Sequence, residues 1–346
     1  MANVNESTFA PGGIGVKELP LRFGLALPTS GPFSAPETIF EFAELAENMG
    51  LDDVWVNDHL TFDWEQRTSA PVGTIDAVTT QEPNFFESLT TAAAILGRFH
   101  RIGVAIGGLV LPLRDPRWLA KQATSLHELT GRRLTICLSV GAIKQSFDLM
   151  QIPFHRRGRI FEEYLSVLHT LVHDEPPLSF DGATVRFDRA VFYPRAVGLR
   201  IWVAGESARS VERAARWGDG WLTGYPSLNG YASRVATLRK LAEAQGRDPQ
   251  GIDTGVLTFI CIGRDRRCAL QMCEETLLAR LGTLERALEV SIVGSPADAS
   301  ERLVDMYRAG ARYIQLRPVT RSSQEWCDMV QTLSVDVLPL VRRVTS

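Results

Sequence analysis

From position 22 onward, short apolar runs alternate with longer stretches in which apolar residues recur at helical spacing. The runs at 22–27, 53–57, 101–106, 134–140, 199–204, 219–223, 254–262 and 313–316 read as buried strands. The helical period predicts helices at 36–49, 85–96, 116–129, 156–172, 208–217, 230–245, 267–281 and 296–309, and a last one at 324–342. In the first of these, Ile39, Phe40, Phe42, Ala43, Leu45, Ala46 and Met49 share one face, and Gly50 closes it. Pro116 opens another where a missing N–H costs nothing. Strand–helix alternation is the signature of βαβ units and a parallel sheet. Eight such units in one chain predict an α/β protein built as a closed (β/α)8 TIM barrel, in preference to an open doubly wound sheet.

Three stretches exceed ordinary connections: 60–84 after the second strand, 174–198 before the fifth, and 264–290 around the seventh helix. Long segments at a barrel mouth shape substrate pockets, so insertions there are expected to wall the cavity. Within 174–198, Phe180-Asp181-Gly182 followed by Val185 to Phe187 predicts a small hairpin, read as a lid or rim. Residues 1–20 carry Pro and Gly but no basic start or apolar core, so they read as a flexible tail before one domain spanning 21–346.

Where the apolar run Val54-Trp55-Val56-Asn57 stops, an ionisable pair follows, Asp58-His59. The C-terminal ends of parallel strands are where barrel enzymes keep their chemistry. The plain alternative is a His59 that only hydrogen-bonds a loop carbonyl. Three further strand ends are unusual. At the fifth, Ala204-Gly205-Glu206-Ser207 leads into a helix that Ser207 can cap, and free amides at such a start make an anion seat. At the third, Ile106-Gly107-Gly108-Leu109 places two glycines in a strand, which predicts a bulge or a flat surface beside a planar ligand. At the fourth, Ser139-Val140-Gly141-Ala142 is followed by Gln145. All four would ring one barrel end. Arg114, Arg156, Arg157 and Arg159 add positive charge nearby, or form a solvated helix face.

Composition narrows the class. A net charge of −3 over 346 residues gives no reason to expect nucleic acid or an anionic membrane as partner, and no apolar run approaches the roughly 20 residues of a membrane span. Five scattered cysteines without a CxxC fit free thiols in a reducing cytoplasm. No GxSxG or metal-ligand spacing is present in the sequence, so neither a nucleophilic triad nor a metal centre is expected.

Taken in order, RFGLALP (22–28), WVNDHL (55–60), LPLRDPRWLAKQATSLHELTGRRL (111–134), IPFHRRGRIFEEY (152–164), WVAGES (202–207), AARWGDGW (214–221) and IVGSPADASERLVDMYRAGARYIQLRP (292–318) resemble the bacterial luciferase-like superfamily of flavin- and deazaflavin-dependent oxidoreductases. The resemblance implies a ring-bearing cofactor at the barrel mouth. It puts the cofactor's phosphate at Ala204, Gly205, Glu206 and Ser207, and a non-proline cis peptide against the ring within Ile106, Gly107, Gly108 and Leu109. It further places Val140, Gly141 and Gln145 beside the cofactor, with Asp58 touching the ring and His59 as acid/base. WVNDHL is similar to the coenzyme F420 branch, and 33 arginines against 4 lysines suit an actinobacterial host. In the deazaflavin sugar dehydrogenases a catalytic Glu and a coenzyme-binding Asn stand where this chain has Ala142 and Gln145, which removes that proton donor and leaves His59. The implied function is an F420-dependent oxidoreductase delivering hydride to an imine, carbonyl or conjugated alkene of a small-molecule substrate, as a homodimer. The alternatives are an FMN-dependent monooxygenase served by a flavin or F420 reductase, and a non-catalytic barrel.

Overall fold

The computed structural model describes residues 21–31, 33–61, 84–131 and 133–345; the expected tail and positions 62–83 of the first long stretch lie outside them. Eight parallel strands form the centre: β1 Arg22–Ala26, β2 Asp53–Val56, β3 Gly103–Val110, β4 Leu134–Ser139, β5 Arg200–Ala204, β6 Gly220–Gly224, β7 Asp253–Ile262 and β8 Tyr313–Pro318. Each pairs with its neighbour in chain order, and β8 returns to β1 with Tyr313 opposite Arg22, closing the (β/α)8 barrel.

Helices α1 Pro36–Asn48, α2 Ser88–Arg98, α3 Pro116–Leu129, α4 Arg157–His173, α5 Ala208–Trp217, α6 Leu228–Ala244, α7 Pro296–Arg308 and α8 Ser323–Thr332 surround it. Their buried faces and the outward faces of the strands make the main apolar core. After β7 the chain inserts helices Arg266–Leu281 and Leu284–Val290 and the short strand Ile292–Gly294, which pairs with the end of β7 and buries Cys261, Cys273 and Leu277 in a satellite core.

The bore is filled from below. Trp55, Cys137, Trp202, Leu222 and Tyr313 pack across it. Trp55 Nε1 donates to the Tyr313 hydroxyl at 2.7 Å, and that hydroxyl donates to Asp53 Oδ2 at 2.9 Å. At the same level Asp253 Oδ2 receives Arg22 at 2.8 Å and Arg200 at 2.9 Å. Large side chains fill the lower bore, and above them, at the strand C-termini, lies open space.

Three expectations are corrected. The hairpin exists, Leu178–Asp181 against Arg186–Ala190, but it is no lid. It belongs to the α4–β5 connection, which departs from the barrel foot, and it climbs the outside of α4, where Glu163 Oε1 accepts from the Thr184 and Val185 amides at 2.6 and 2.8 Å. The helix expected from position 85 starts at Ser88, because Asn84–Phe85 pairs with Ser30–Gly31 and Glu87 caps the helix. Strand β3 runs on past 106 to Val110 through a register shift between Gly107 and Leu109.

Candidate active site

Strand β2 is buried along its length, and its continuation delivers the Asp58-His59 pair to the mouth. The Asp58 carboxylate is engaged on both oxygens. Oδ1 accepts from Ser88 Oγ at 2.8 Å and from Arg114 Nη2 at 2.6 Å, and Oδ2 accepts from the Val110 amide at 2.8 Å. Arg114 gives its other Nη to Glu87 at 3.0 Å. Asp58 thus ties the end of β2 to the end of β3 and the start of α2. His59, the next residue, is half-buried and faces the open space.

The expected non-proline cis peptide falls on Gly107-Gly108, at the bulge of β3. A Cβ on Gly107 would lie 2.4 Å from the Trp55 ring, and one on Gly108 would lie 2.9 Å from Ser139 Cβ and 3.6 Å from Ala204 Cβ. Only glycine fits, so the bulge offers bare backbone between two small side chains, and Ser139 Oγ donates to the Gly108 carbonyl at 3.1 Å.

At β5 the anion cradle is narrower than the sequence implies. Gly205, at φ +145, donates its N–H to the Leu222 carbonyl at 2.9 Å, and its own carbonyl accepts from Trp221 Nε1 at 3.0 Å. Its amide is spent on the fold. Ser207 does cap α5, its hydroxyl accepting from the Ser210 amide at 3.2 Å. Residues 206–209 are exposed, which turns the positive end of the α5 dipole to solvent.

A cavity of about 300 Å³ unites Asp58, His59, Gly108, Gly141 and Ala204. These residues come together from four different strand ends. Gly107 lies beneath, against Trp55. Ile106 and Leu109 point the other way, into the core between strands and helices; Val140 packs there too. Gln145, Gly205, Glu206 and Ser207 do not line this cavity, nor does the inserted segment 264–290. Sequence reasoning missed Val110, Leu113, Ile143 and Phe147, which supply its apolar walls. A helical spacing signal for Ile143 and Phe147 was present, four residues apart, but the helix Lys144–Leu149 is too short to register as a periodic run. Beside it, sharing His59, is a second cavity of about 320 Å³ that Arg114, Phe85 and Met150 help to line. Of the arginines flagged in sequence, Arg157 holds the Gly141 carbonyl from outside at 3.1 Å. The cysteines play no part here, and burial pushes the Cys137 thiol far up. Among the described residues no helix is long and apolar enough to cross a membrane, and no cluster of three or more His, Cys, Asp or Glu is arranged to hold a metal.

Residues 19–291 match the family described as luciferase-like monooxygenase. A phthiodiolone/phenolphthiodiolone dimycocerosates ketoreductase of Mycobacterium sp. (strain JLS) is 26% identical over 272 residues, 75% of this chain and 70% of that one. An F420-dependent secondary alcohol dehydrogenase solved with an F420–acetone adduct superposes with a TM-score of 0.77 at 15% identity, over 93% of this chain and 99% of the other. The monooxygenase RslO1 from Streptomyces bottropensis superposes with a TM-score of 0.75 at 20% identity, over 92% and 99%. The two superpositions establish the fold. The family match spans β1 to the helix before Ile292–Gly294, and the chain belongs to the luciferase-like monooxygenase family.

Proposed function

We propose that the protein is an F420-dependent oxidoreductase that moves hydride between the deazaflavin and a carbonyl, imine or conjugated alkene, with His59 handling the matching proton. The observation that carries this reading is the bare Gly108 backbone at the β3 bulge sharing one cavity with His59. Gly108, Ser139 and Ala204 present no side chain larger than a hydroxymethyl, so a planar ring can lie flat against them. When bound, the deazaflavin supplies the hydride chemistry.

The chain's own residues do the rest. The exposed first turn of α5 seats the phosphate. Val110, Leu113, Ile143 and Phe147 exclude water from the ring's neighbourhood. His59 carries the side chain whose ordinary pKa lies nearest neutrality, so it can give or take a proton at the reacting oxygen or nitrogen. Asp58 acts by position: with donors on both its oxygens it fixes the loop that presents His59. The ketoreductase relative supports a carbonyl substrate.

The fold likeness to RslO1 keeps FMN-dependent monooxygenation, with a partner reductase, as the second reading. Equilibrium titration of the purified protein with F420 and with FMN, followed by fluorescence quenching, separates them. Tighter binding of F420 is expected; a preference for FMN favours the monooxygenase, and binding of neither favours a non-catalytic barrel. The same reading takes the protein as a cytoplasmic homodimer. The outward face of α3, where Trp118 is 69% and Leu129 85% exposed, is apolar surface that such an assembly would cover, and sedimentation velocity tests it.

A further inference from the structure

Beyond His59 the open space continues in series. The ring-side cavity and the second cavity share Asp58, His59, Leu60 and Leu113. The second, of about 320 Å³, adds Phe85, Met150 and the Glu87–Arg114 ion pair. Glu87 also borders a third hollow of about 170 Å³, between the first turns of α1 and α2, where Pro36, Ile39, Phe40, Phe86 and Ala94 make an apolar wall. Consecutive residues face the two spaces: Phe85 lines the second cavity, Phe86 the groove.

The charged groups along this path pair with one another, Arg114 Nε alone being buried without a partner. Arg114 is met by Asp58 and by Glu87. The Glu87 carboxylate is held in turn by the amide and hydroxyl of Thr90, both at 2.7 Å. What Glu87 offers a ligand is its methylene stem. Apart from that one N–H, the lining gives an anion little to bind, and the Leu60, Phe85, Met150, Phe86 and Phe40 walls suit a carbon chain.

We infer that the three spaces form one substrate channel, and that the substrate is an elongated lipophile with its polar reactive group near one end. Resting on the proposed function, the reacting carbon sits at His59 beside Gly108. The apolar tail runs past Leu60, Phe85 and Met150, crosses the Glu87 stem, and lies in the α1–α2 groove. Each methylene buried there gains about 0.8 kcal/mol, about fourfold in affinity.

The test uses the intact protein without any cofactor. A series of 2-alkanones from 2-butanone to 2-undecanone displaces the fluorescent ketone 6-propionyl-2-(dimethylamino)naphthalene. Affinity is expected to rise several-fold with each added methylene. Ala94→Phe fills the groove from the exposed side of α2. It should weaken 2-undecanone by about tenfold or more while leaving 2-butanone within about twofold. Gly97→Phe, on the same helix with open space around it, is the control for folding and for general stickiness and should leave the series unchanged. A flat series, or a series untouched by Ala94→Phe, overturns the channel. Because no cofactor is present, the outcome is independent of whether F420, FMN or neither binds.

Discussion

At the scale of single residues, the two members of the Asp58-His59 pair part company. Asp58 is the hub of a buried knot, its side chain 8% exposed and its partner Arg114 25%. Asp58→Ala removes one of the two carboxylates that hold the Arg114 guanidinium and strands the Val110 amide, and should cost about 2–4 kcal/mol of stability by denaturant unfolding. Asp58→Asn keeps an acceptor and should recover part of that loss, with kcat following stability rather than falling alone. A kcat collapse in an Asp58→Asn protein of undiminished stability would instead put Asp58 at the reacting atoms. His59 should behave oppositely. His59→Ala and His59→Asn are both expected to lower turnover by roughly 10²–10⁴-fold, the usual size of general acid–base catalysis, at nearly unchanged melting temperature. An Asn variant with near-wild-type turnover removes His59 from the chemistry. The pair itself was legible because it ends an apolar run. The role of its acid was not, because Ser88, Val110 and Arg114 lie 30, 52 and 56 positions away, beyond any local pattern.

At the scale of elements, the glycine pair in β3 announced a bulge, and the bulge is there. What the sequence hid is that the strand resumes to Val110, since the two glycines read as its end. The bulge makes a definite forecast. Gly108→Ala places a Cβ 2.9 Å from Ser139 Cβ, on the wall proposed to carry the ring. Cofactor affinity, whichever cofactor proves right, should fall by about tenfold or more. Adding Ser139→Gly relieves the internal crowding, so the double variant should regain stability without regaining affinity. If affinity returns with stability, Gly108 matters for packing alone and the ring lies elsewhere. The hairpin teaches a different lesson. Its strands were legible from residue type, and its true place was legible from chain order: a segment between a helix and the next strand begins at the barrel foot, whatever its length. The capped helix start at Ser207 was legible, but the pairing of the Gly205 amide with Leu222 needed the neighbouring strand to be in place.

At the scale of the whole molecule, the count of eight alternations predicted a closed barrel, and β8 does reach β1; which residues meet across that seam was not legible, because no local pattern pairs them. The side chains that secure that seam come from opposite ends of the sequence: Tyr313 meets Asp53 across 260 positions, and Arg22 meets Asp253 across 231. We propose that 21–346 unfolds as one unit for this reason, with far-UV and tryptophan signals changing together. The seam also sets a pH dependence. Burial lifts the Asp53 carboxyl to about 6, against the opposing pull of Arg22 and of the Tyr313 hydroxyl. Between the ordinary carboxylate value and about 6, folded Asp53 holds a proton that the unfolded chain has released. Raising the pH through this window therefore removes stability, and the loss is complete above the folded value. Two units correspond to a term on the order of 3 kcal/mol. Asp53→Asn keeps the neutral shape and an acceptor for Tyr313 but cannot ionise. Relative to wild type, the variant should gain stability steadily between about pH 4 and pH 6.5 and hold that gain to pH 8. Carboxylates held low elsewhere, such as Glu47 and Asp298, titrate alike in both proteins and cancel in the difference. Denaturant unfolding of the two proteins at pH 4.5 and pH 7 measures it. A constant difference would mean that Asp53 stays ionised in the bore, neutralised there by Arg22, and that the seam is closed by a permanent ion pair.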